Sequence, residues 1–331
     1  MTMQDNVQSS HIVDNEKIVD HFLNPRNIGE IENPDGHAVV GDPSCGDHIK
    51  VWIRVQDEII TDFKYKVFGC WGAISTTSVI SELAIGKTLR EAVTLSDDDV
   101  IRALGGIPEN KKHCSLLGVQ GLKAAIAEFL VNDNHRKYQS RIDLYRSQGY
   151  DIPLLRDRMV QFLGEEPAEG PVLDVGTGKG HLALAIAKTG RRCVSIDVSE
   201  TELSYAKLNA IYYRLDELIK FKIQDAKALP FEPHSYDAVM SAALLHHLIN
   251  PQHVLSEMIR VCASNGKIII SDLNEQGLIL LEQILKKEGK DHCAMGWSLD
   301  KVKAWFENRG LHVDRHNGEL ENMLVIDLSH G

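Results

Sequence analysis

The sequence predicts two domains, an α+β domain followed by an α/β domain with a mostly parallel sheet. The chain of 331 residues is longer than a single core usually grows. Its first third mixes strands and helices in no regular order, whereas strands and helices alternate from Ile152 onward. The polar stretch between these parts predicts a linker or an exposed helix. We therefore place the domains at 18–130 and 151–331, with the connection at 131–150.

The first domain contains a predicted hairpin and at least two helices. Two strand-like runs at 51–55 and 59–65 flank three polar residues, which is the pattern of a β-hairpin. The apolar residues of 74–83 and 118–130 follow helical spacing. Together these elements indicate an α+β unit.

The second domain reads as a doubly wound sheet. Apolar runs predict strands at 171–175, 193–196, 222–223, 237–241 and 267–271, with helices between most of them. Such a sheet is covered by helices on both faces. Its ligands bind at the carboxyl ends of the strands.

Composition excludes several classes of protein. Hydrophobic residues at 43% and charged residues at 25% are typical of a globular chain. A net charge of −11 opposes generic binding to nucleic acid, which needs a basic face. No long apolar run predicts a membrane span, and the amino terminus is polar, so we expect a cytoplasmic protein. Six cysteines without a dense ladder of spacings predict reduced thiols rather than a disulfide scaffold.

A nucleoside cofactor is indicated by two features of the second domain. The segment DVGTGKG at 174–180 follows the first strand, and its glycines permit a tight turn before a helix whose first N–H groups are free. The next strand ends in Asp197, about twenty residues further on, where a carboxylate can accept the hydroxyls of a ribose. Nicotinamide dinucleotide and S-adenosylmethionine both remain candidates on these features.

Further motifs decide between the two cofactors. The spacing G-x-G-x-G lacks the third glycine position of the dinucleotide fingerprint. It is followed in order by QDAKALPF at 224–231, SYDAV at 235–239 and RVCASNG at 260–266. From Ile152 to the end, the series resembles the class I S-adenosylmethionine-dependent methyltransferases. The resemblance implies a cofactor site made of Asp174, Gly176, Gly178, Gly180, Asp197, Asp225 and Ala226. In it the glycines and Asp174 border the methionine part, Asp197 holds the ribose, and Asp225 with Ala226 meets the adenine.

The need for a base depends on the methyl acceptor. Methyl transfer is an in-line displacement, so a thiolate or sulfide needs little help, whereas a hydroxyl or a carbon acid needs a base. The candidates are His247, Asp272 and His292. His246 also follows the fourth strand, but adjacent residues of a helix do not both point inward. Cys193 and Cys262 are expected to be buried apolar residues.

Three cysteines of the first domain indicate a metal site. Cys45, Cys70 and Cys114 each lie at the end of an element or in a glycine-containing turn. Three thiolates with a carboxylate or an imidazole suit an iron–sulfur cluster or zinc. The segments GDPSCGD at 41–47, FGC at 68–70 and KHCS at 112–115 resemble the scaffold domain of NifU and IscU proteins. This resemblance covers about 19–130.

The resemblance assigns roles and partners in the first domain. It implies that Cys45, Cys70 and Cys114 are cluster ligands, that Asp47 tunes the lability of the cluster, and that His113 is an alternative ligand. The bound group is an iron–sulfur cluster, or else iron or zinc. The implied partners are a cysteine desulfurase and other iron–sulfur assembly proteins.

The two resemblances predict a methyltransferase coupled to a metal-binding scaffold. Because the first domain belongs with iron and sulfur chemistry, we favour a small-molecule acceptor whose nucleophile is linked to sulfur or to a metal. The main alternative is a cluster scaffold whose second domain senses S-adenosylmethionine without catalysis. A third is a methyltransferase whose first domain only docks other scaffold proteins. Formation of S-adenosylhomocysteine separates the sensor from the enzyme.

Overall fold

The computed structural model describes residues 15–41, 46–164, 170–290 and 296–330. The chain divides into two compact units, Met1–Asn132 and Asp133–Gly331. Within the described ranges, none of the helices is both long and apolar enough to cross a membrane.

The first unit is an α+β domain, as the sequence predicts. Its strands β1 (Gly36–Gly41), β2 (His48–Gln56) and β3 (Ile59–Phe68) form an antiparallel sheet in the order β1-β2-β3. The predicted hairpin is β2–β3, and its two turn residues, Asp57 and Glu58, both have positive φ. The helices are α1 (Glu16–Leu23), α2 (Trp71–Ala84), α3 (Leu89–Ala92), α4 (Asp97–Leu104) and α5 (Lys112–Ser147).

The core of this unit lies between the sheet and its helices. Ile49, Val51 and Ile53 alternate along β2 and are completely buried. Helix α5 crosses this face at Gly121, where a Cβ atom would lie 2.7 Å from the Ile49 side chain. Glycine is required here because it lets the helix approach the strand closely.

The polar stretch at 131–150 is more deeply buried than the predicted linker or exposed helix. It is helical through Ser147, as the second part of α5. Tyr138, Ile142, Tyr145 and the following Tyr150 are all buried within the second unit. The first three are spaced by four and three residues, so they share one face of the helix. The polar residues between them conceal this pattern in the sequence.

The second unit is built on a seven-stranded sheet in the order β6-β5-β4-β7-β8-β10-β9. The strands are β4 (Val172–Val175), β5 (Cys193–Asp197), β6 (Ile219–Ile223), β7 (Tyr236–Ala242), β8 (Cys262–Leu273), β9 (Val313–His316) and β10 (Glu321–Asp327). The helices are α6 (Ile152–Val160), α7 (His181–Lys188), α8 (Glu200–Tyr212), α9 (Gln252–Val261), α10 (Glu275–Lys287) and α11 (Leu299–Glu307). Short 3-10 helices include Leu245–His247.

The five strands foreseen in the sequence are parallel, which confirms the predicted α/β class. Strand β10 lies antiparallel between β8 and β9. The sequence did not predict β9 or β10. The strand order reverses between β4 and β7. The carboxyl ends of strands at such a reversal form a crevice for ligands.

Candidate functional site

The glycine-rich turn follows β4 and leads into α7. Gly176, Gly178 and Gly180 all have positive φ, a region that residues with a Cβ rarely adopt. A Cβ atom on Gly176 would lie 2.8 Å from the Leu244 side chain, and one on Gly180 would lie 3.0 Å from Ala206. The N–H groups of Gly176 and Thr177 donate to the carbonyl of Ile196 at 3.0 Å. The turn is therefore fixed against the end of β5.

Asp174 lies beneath this turn and has an oxygen atom without a partner. Its side chain is 1% exposed. Oδ2 accepts hydrogen bonds from the hydroxyls of Thr177 at 2.5 Å and Ser195 at 2.8 Å, whereas Oδ1 is buried and has no partner among the described residues. Burial raises the pKa of Asp174 to about 6, against the opposing effect of the two hydroxyls. A buried acceptor without a donor is costly, so this carboxylate is suited to receive a ligand cation.

Asp197 joins the end of β5 to the glycine turn. Its Oδ2 accepts from the N–H of Gly178 at 2.8 Å, and its Oδ1 accepts from the N–H of Ser199 at 2.9 Å. The half-buried carboxylate is thereby held in one orientation. Since each carboxylate oxygen has two lone pairs, both oxygens can still accept from ligand hydroxyls.

Asp225 and Ala226 lie in the loop after β6. Asp225 is exposed, and its Oδ1 accepts from the N–H of Lys227 at 2.9 Å. The loop is fixed from α9, where Glu257 accepts from the N–H of Leu229 at 2.7 Å and Arg260 donates to its carbonyl at 2.9 Å. Arg260 belongs to the segment 260–266 that carried the sequence resemblance, and its role is to hold this loop.

A cavity of about 240 Å³ opens at the glycine turn. Gly176, Thr177 and Gly178 line one side. The other walls include side chains that the sequence analysis did not single out, namely Arg141, Tyr145, Tyr150, Arg156 and His181. Arg141 and Tyr145 are far along the chain from the motifs, and the second part of α5 brings them to the cavity.

Two contacts show how these elements support the cavity. Tyr138 of α5 shares a 2.8 Å hydrogen bond with Nδ1 of His181, the first residue of α7. Burial lowers the pKa of His181 to about 3, so this imidazole is neutral. Arg156 and Glu321 form a buried ion pair with contacts of 2.6 and 2.8 Å, and Glu321 also accepts from the hydroxyls of Tyr150 and Ser271.

The predicted bases differ in burial and in their contacts. Asp272 is 2% exposed and accepts from Nδ1 of His246 at 2.5 Å and from the backbone N–H of His246 at 2.9 Å. His247, the histidine that the sequence analysis selected, is exposed, although it also lines the cavity at the glycine turn. His292 lies outside the described residues. The structure thus pairs Asp272 with His246.

Of the metal ligands predicted in the first domain, Asp47 and Cys70 have described side chains. Oδ1 of Asp47 accepts from the backbone N–H of Cys70 at 3.3 Å, while its Oδ2 is buried without a partner among the described residues. A Cβ on Gly69 would lie 2.8 Å from Cγ of Asp47, so the turn requires glycine. An orphaned oxygen on the carboxylate that binds the backbone of a cysteine fits the predicted ligand set of a thiophilic metal.

The remaining predicted ligands cannot be placed. Cys45 lies outside the described residues, and so do the side chains of His113 and Cys114, although both belong to α5. In the described part of the chain, no three residues of the types His, Cys, Asp and Glu come together as a metal site.

Two cysteines of the second unit, Cys193 and Cys262, are buried, as expected. Cys193 in β5 is 1% exposed, and Cys262 at the start of β8 is completely buried. Burial raises the pKa of both thiols, that of Cys262 to about 12. Neither is adapted to act as a thiolate.

Comparison with known families matches each half of the chain. Residues 13–136 match the NifU-like N terminal domain, and residues 168–322 match a methyltransferase domain. The iron-sulfur cluster assembly scaffold protein IscU 1 of Archaeoglobus fulgidus is 47% identical over 114 residues, which cover 34% of this chain and 74% of that protein. IscU of Escherichia coli K12 is 43% identical over 118 residues, which cover 34% and 91%.

Solved structures show a similar second half. A SAM-dependent methyltransferase from Aquifex aeolicus is 21% identical with a TM-score of 0.45, covering 58% of this chain and 97% of that one. The chain therefore joins a NifU-like α+β domain to an α/β domain that matches a methyltransferase model. The chain belongs to the family of NifU- and IscU-type proteins through its first domain, and its second domain matches the model of a methyltransferase domain.

Proposed function

We propose that this protein transfers the methyl group of S-adenosylmethionine to a small molecule and binds an iron–sulfur cluster, or iron or zinc, in its first domain. The observation that carries the first part is Asp174, a buried carboxylate that lies beside a turn of three positive-φ glycines and has one oxygen without a partner in the described part of the chain. A ligand with an amino group would satisfy that oxygen. A carboxylate for ribose hydroxyls, Asp197, follows at the next strand end.

The cofactor residues take their roles from this geometry and from the resemblance. Asp174 receives the amino group of the methionine part, and the turn of Gly176, Gly178 and Gly180 lies along it. Asp197 accepts from the ribose. Asp225, with Ala226 beside it, accepts from the adenine amino group, because its side chain is exposed at the end of β6. The cofactor supplies an electrophilic methyl group, and the protein aligns the acceptor with it in a cavity that excludes water.

Turnover of the cofactor tests catalysis against sensing. The intact protein is incubated with methyl-labelled S-adenosylmethionine and an extract of small metabolites from which protein has been removed. We expect S-adenosylhomocysteine and a labelled small molecule to appear in equal amounts. A protein that binds the cofactor tightly but forms neither product would be a sensor.

The identity of the acceptor stays a hypothesis. The fusion to a cluster-type domain favours an acceptor linked to sulfur or to a metal, but a fusion is an argument by association. Methyl transfer to sulfide and to small thiols is therefore compared in the metal-loaded protein and in the metal-free Cys45→Ala variant. Equal rates would show that the metal takes no part in the reaction.

The first domain is proposed to hold its metal through Cys45, Cys70 and Cys114, with Asp47 and His113 as further ligands. The unpaired oxygen of Asp47 beside Cys70 supports this assignment. A hard carboxylate among thiolates makes a cluster easier to release, which suits a scaffold. Cysteine desulfurase and other assembly proteins are the partners that such a role requires. Pull-down of a desulfurase by the intact protein, compared with the Cys45→Ala variant, tests this part.

A further inference from the structure

The histidine next to Asp272 is His246, not the predicted base His247. It is 5% exposed, and the Asp272 carboxylate binds it twice, through Nδ1 and through its backbone N–H. With Nδ1 hydrogen-bonded to Asp272, Nε2 is the ring nitrogen directed away from this carboxylate. A carboxylate bonded to one imidazole nitrogen fixes the tautomer and stabilises the imidazolium that forms on proton uptake.

Two cavities of the second unit meet at this residue. The first is the cavity of about 240 Å³ at the glycine turn. The second has a volume of about 590 Å³ and is lined by Asp272, Trp297 and the start of α10. His246 and Leu273 line both cavities. His246 therefore stands between the proposed cofactor site and a larger space suited to an acceptor.

We propose that His246, held by Asp272, is the base that removes a proton from the methyl acceptor. The acceptor is accordingly a hydroxyl, an amine or a thiol that still carries its hydrogen, rather than a nucleophile that a metal keeps deprotonated. This inference rests on the proposed function. The acceptor's lone pair forms the bond to the methyl carbon, the carbon–sulfur bond breaks with its electron pair going to sulfur, and the acceptor's proton passes to Nε2 of His246 and then to water.

Other charged groups lie around the same imidazole, and the experiment must distinguish their effects from that of His246. Asp272 approaches from β8, and the ring of His247 lies 4.0 Å away from that of His246. Across the smaller cavity lie Arg141, Tyr145, Tyr150, Arg156, Lys179 and His181. Across the larger one lie Glu275, Glu282, Asp300 and Arg315.

Two cofactor analogues distinguish the effect of His246 from those of the other groups, and this comparison does not require the acceptor to be known. S-adenosylhomocysteine has an uncharged sulfur, whereas sinefungin carries an ammonium group where the methyl group would lie. All other parts of the two ligands are equivalent, so the ratio of their affinities cancels the effects of charges on those shared parts, including the contact of Asp174 with the amino group. Calorimetry measures both affinities between pH 5.5 and pH 8 for the intact protein.

The expected result is a ratio that favours sinefungin more strongly as pH rises, by about tenfold, because a neutral imidazole accepts from the ammonium and an imidazolium repels it. His246→Gln should abolish this pH dependence while S-adenosylhomocysteine still binds. Asp272→Asn should weaken the preference for sinefungin, since the carboxylate that orients the ring of His246 is lost. His253→Gln, an exposed histidine of α9, is the control and should behave as wild type.

Three outcomes would overturn the inference. One is a ratio that does not change with pH in the wild type, and another is a pH dependence that survives in the folded His246→Gln variant. The third is its loss in His247→Gln instead, which would restore the histidine selected from sequence. Failure of the wild type to bind S-adenosylhomocysteine at all would be different, because it would overturn the proposed function itself.

Discussion

Replacing Asp174 by asparagine should make the protein bind its cofactor more weakly without destabilising it. Burial raises the pKa of Asp174 from 3.8 to about 6. The free energy that corresponds to this difference is about 3 kcal/mol. Because the folded pKa lies above the unfolded one, the ionised group opposes folding. This cost is absent below about pH 3.8 and complete above about pH 6.

The variant removes that cost and introduces a smaller one. Its amide oxygen can still accept from Thr177 and Ser195, but its NH₂ group then lies where Oδ1 has no partner, which costs about 1–3 kcal/mol. The net change at neutral pH is therefore close to zero or stabilising. The change in stability relative to wild type should be about 1 kcal/mol more favourable at pH 8 than at pH 5.

Affinity should move in the opposite direction. Loss of a charge-assisted contact to the amino group weakens cofactor binding by tenfold or more. Urea unfolding of the intact chain at the two pH values and calorimetry with S-adenosylhomocysteine measure the two effects. The matched control is Asp197→Asn, which should lose affinity without gaining stability, because its oxygens accept two backbone N–H groups. Unchanged affinity in Asp174→Asn, or a clear loss of stability, would refute the reasoning.

Three further predictions concern other parts of the chain. Cys45→Ala, Cys70→Ala and Cys114→Ala should each lower the iron and sulfide content of anaerobically reconstituted protein, and normal stoichiometry in all three would show that the ligands are misassigned. Gly176→Ala should weaken cofactor binding more than Gly178→Ala in calorimetry, because only the former meets Leu244; equal losses would contradict this. Arg156→Met should cost about 3–5 kcal/mol in urea unfolding by stranding Glu321. Although burial opposes its ionisation, Arg156 lowers the pKa of Glu321 to about 2, so the pair's stabilisation should be lost as pH falls from about 4.5 to 2.

Much of the second fold follows from local signals. The glycine turn and Asp197 are marked by their residue types and by their position at the ends of strands that the apolar runs predict. Strand β10 was not predicted because it begins with Glu321, and a charged residue usually indicates an exposed position. Its partner Arg156 lies 165 residues earlier, and no local pattern indicates such a pair.

The choice between His246 and His247 was beyond the sequence for a different reason. Both lie in the same 3-10 turn, Leu245–His247, and only the position of Asp272 on β8 decides which one is buried. A similar limit applies to α5, where Arg141 is an ordinary surface-type residue until Tyr138 and Ile142 fix the helix on the second unit. Both cases depend on contacts between segments far apart in the chain.

The buried thiols of the second unit give the protein an internal reporter. Alkylating reagents attack thiolates, so Cys193 and Cys262 stay unmodified as long as β5 and β8 remain closed. Their rate of labelling measures how often the sheet opens, as hydrogen exchange does for amides. Mass spectrometry of the two peptides would then distinguish variants that only bind less cofactor or metal from variants that unfold. The measurement uses a single sample and needs no assay of activity.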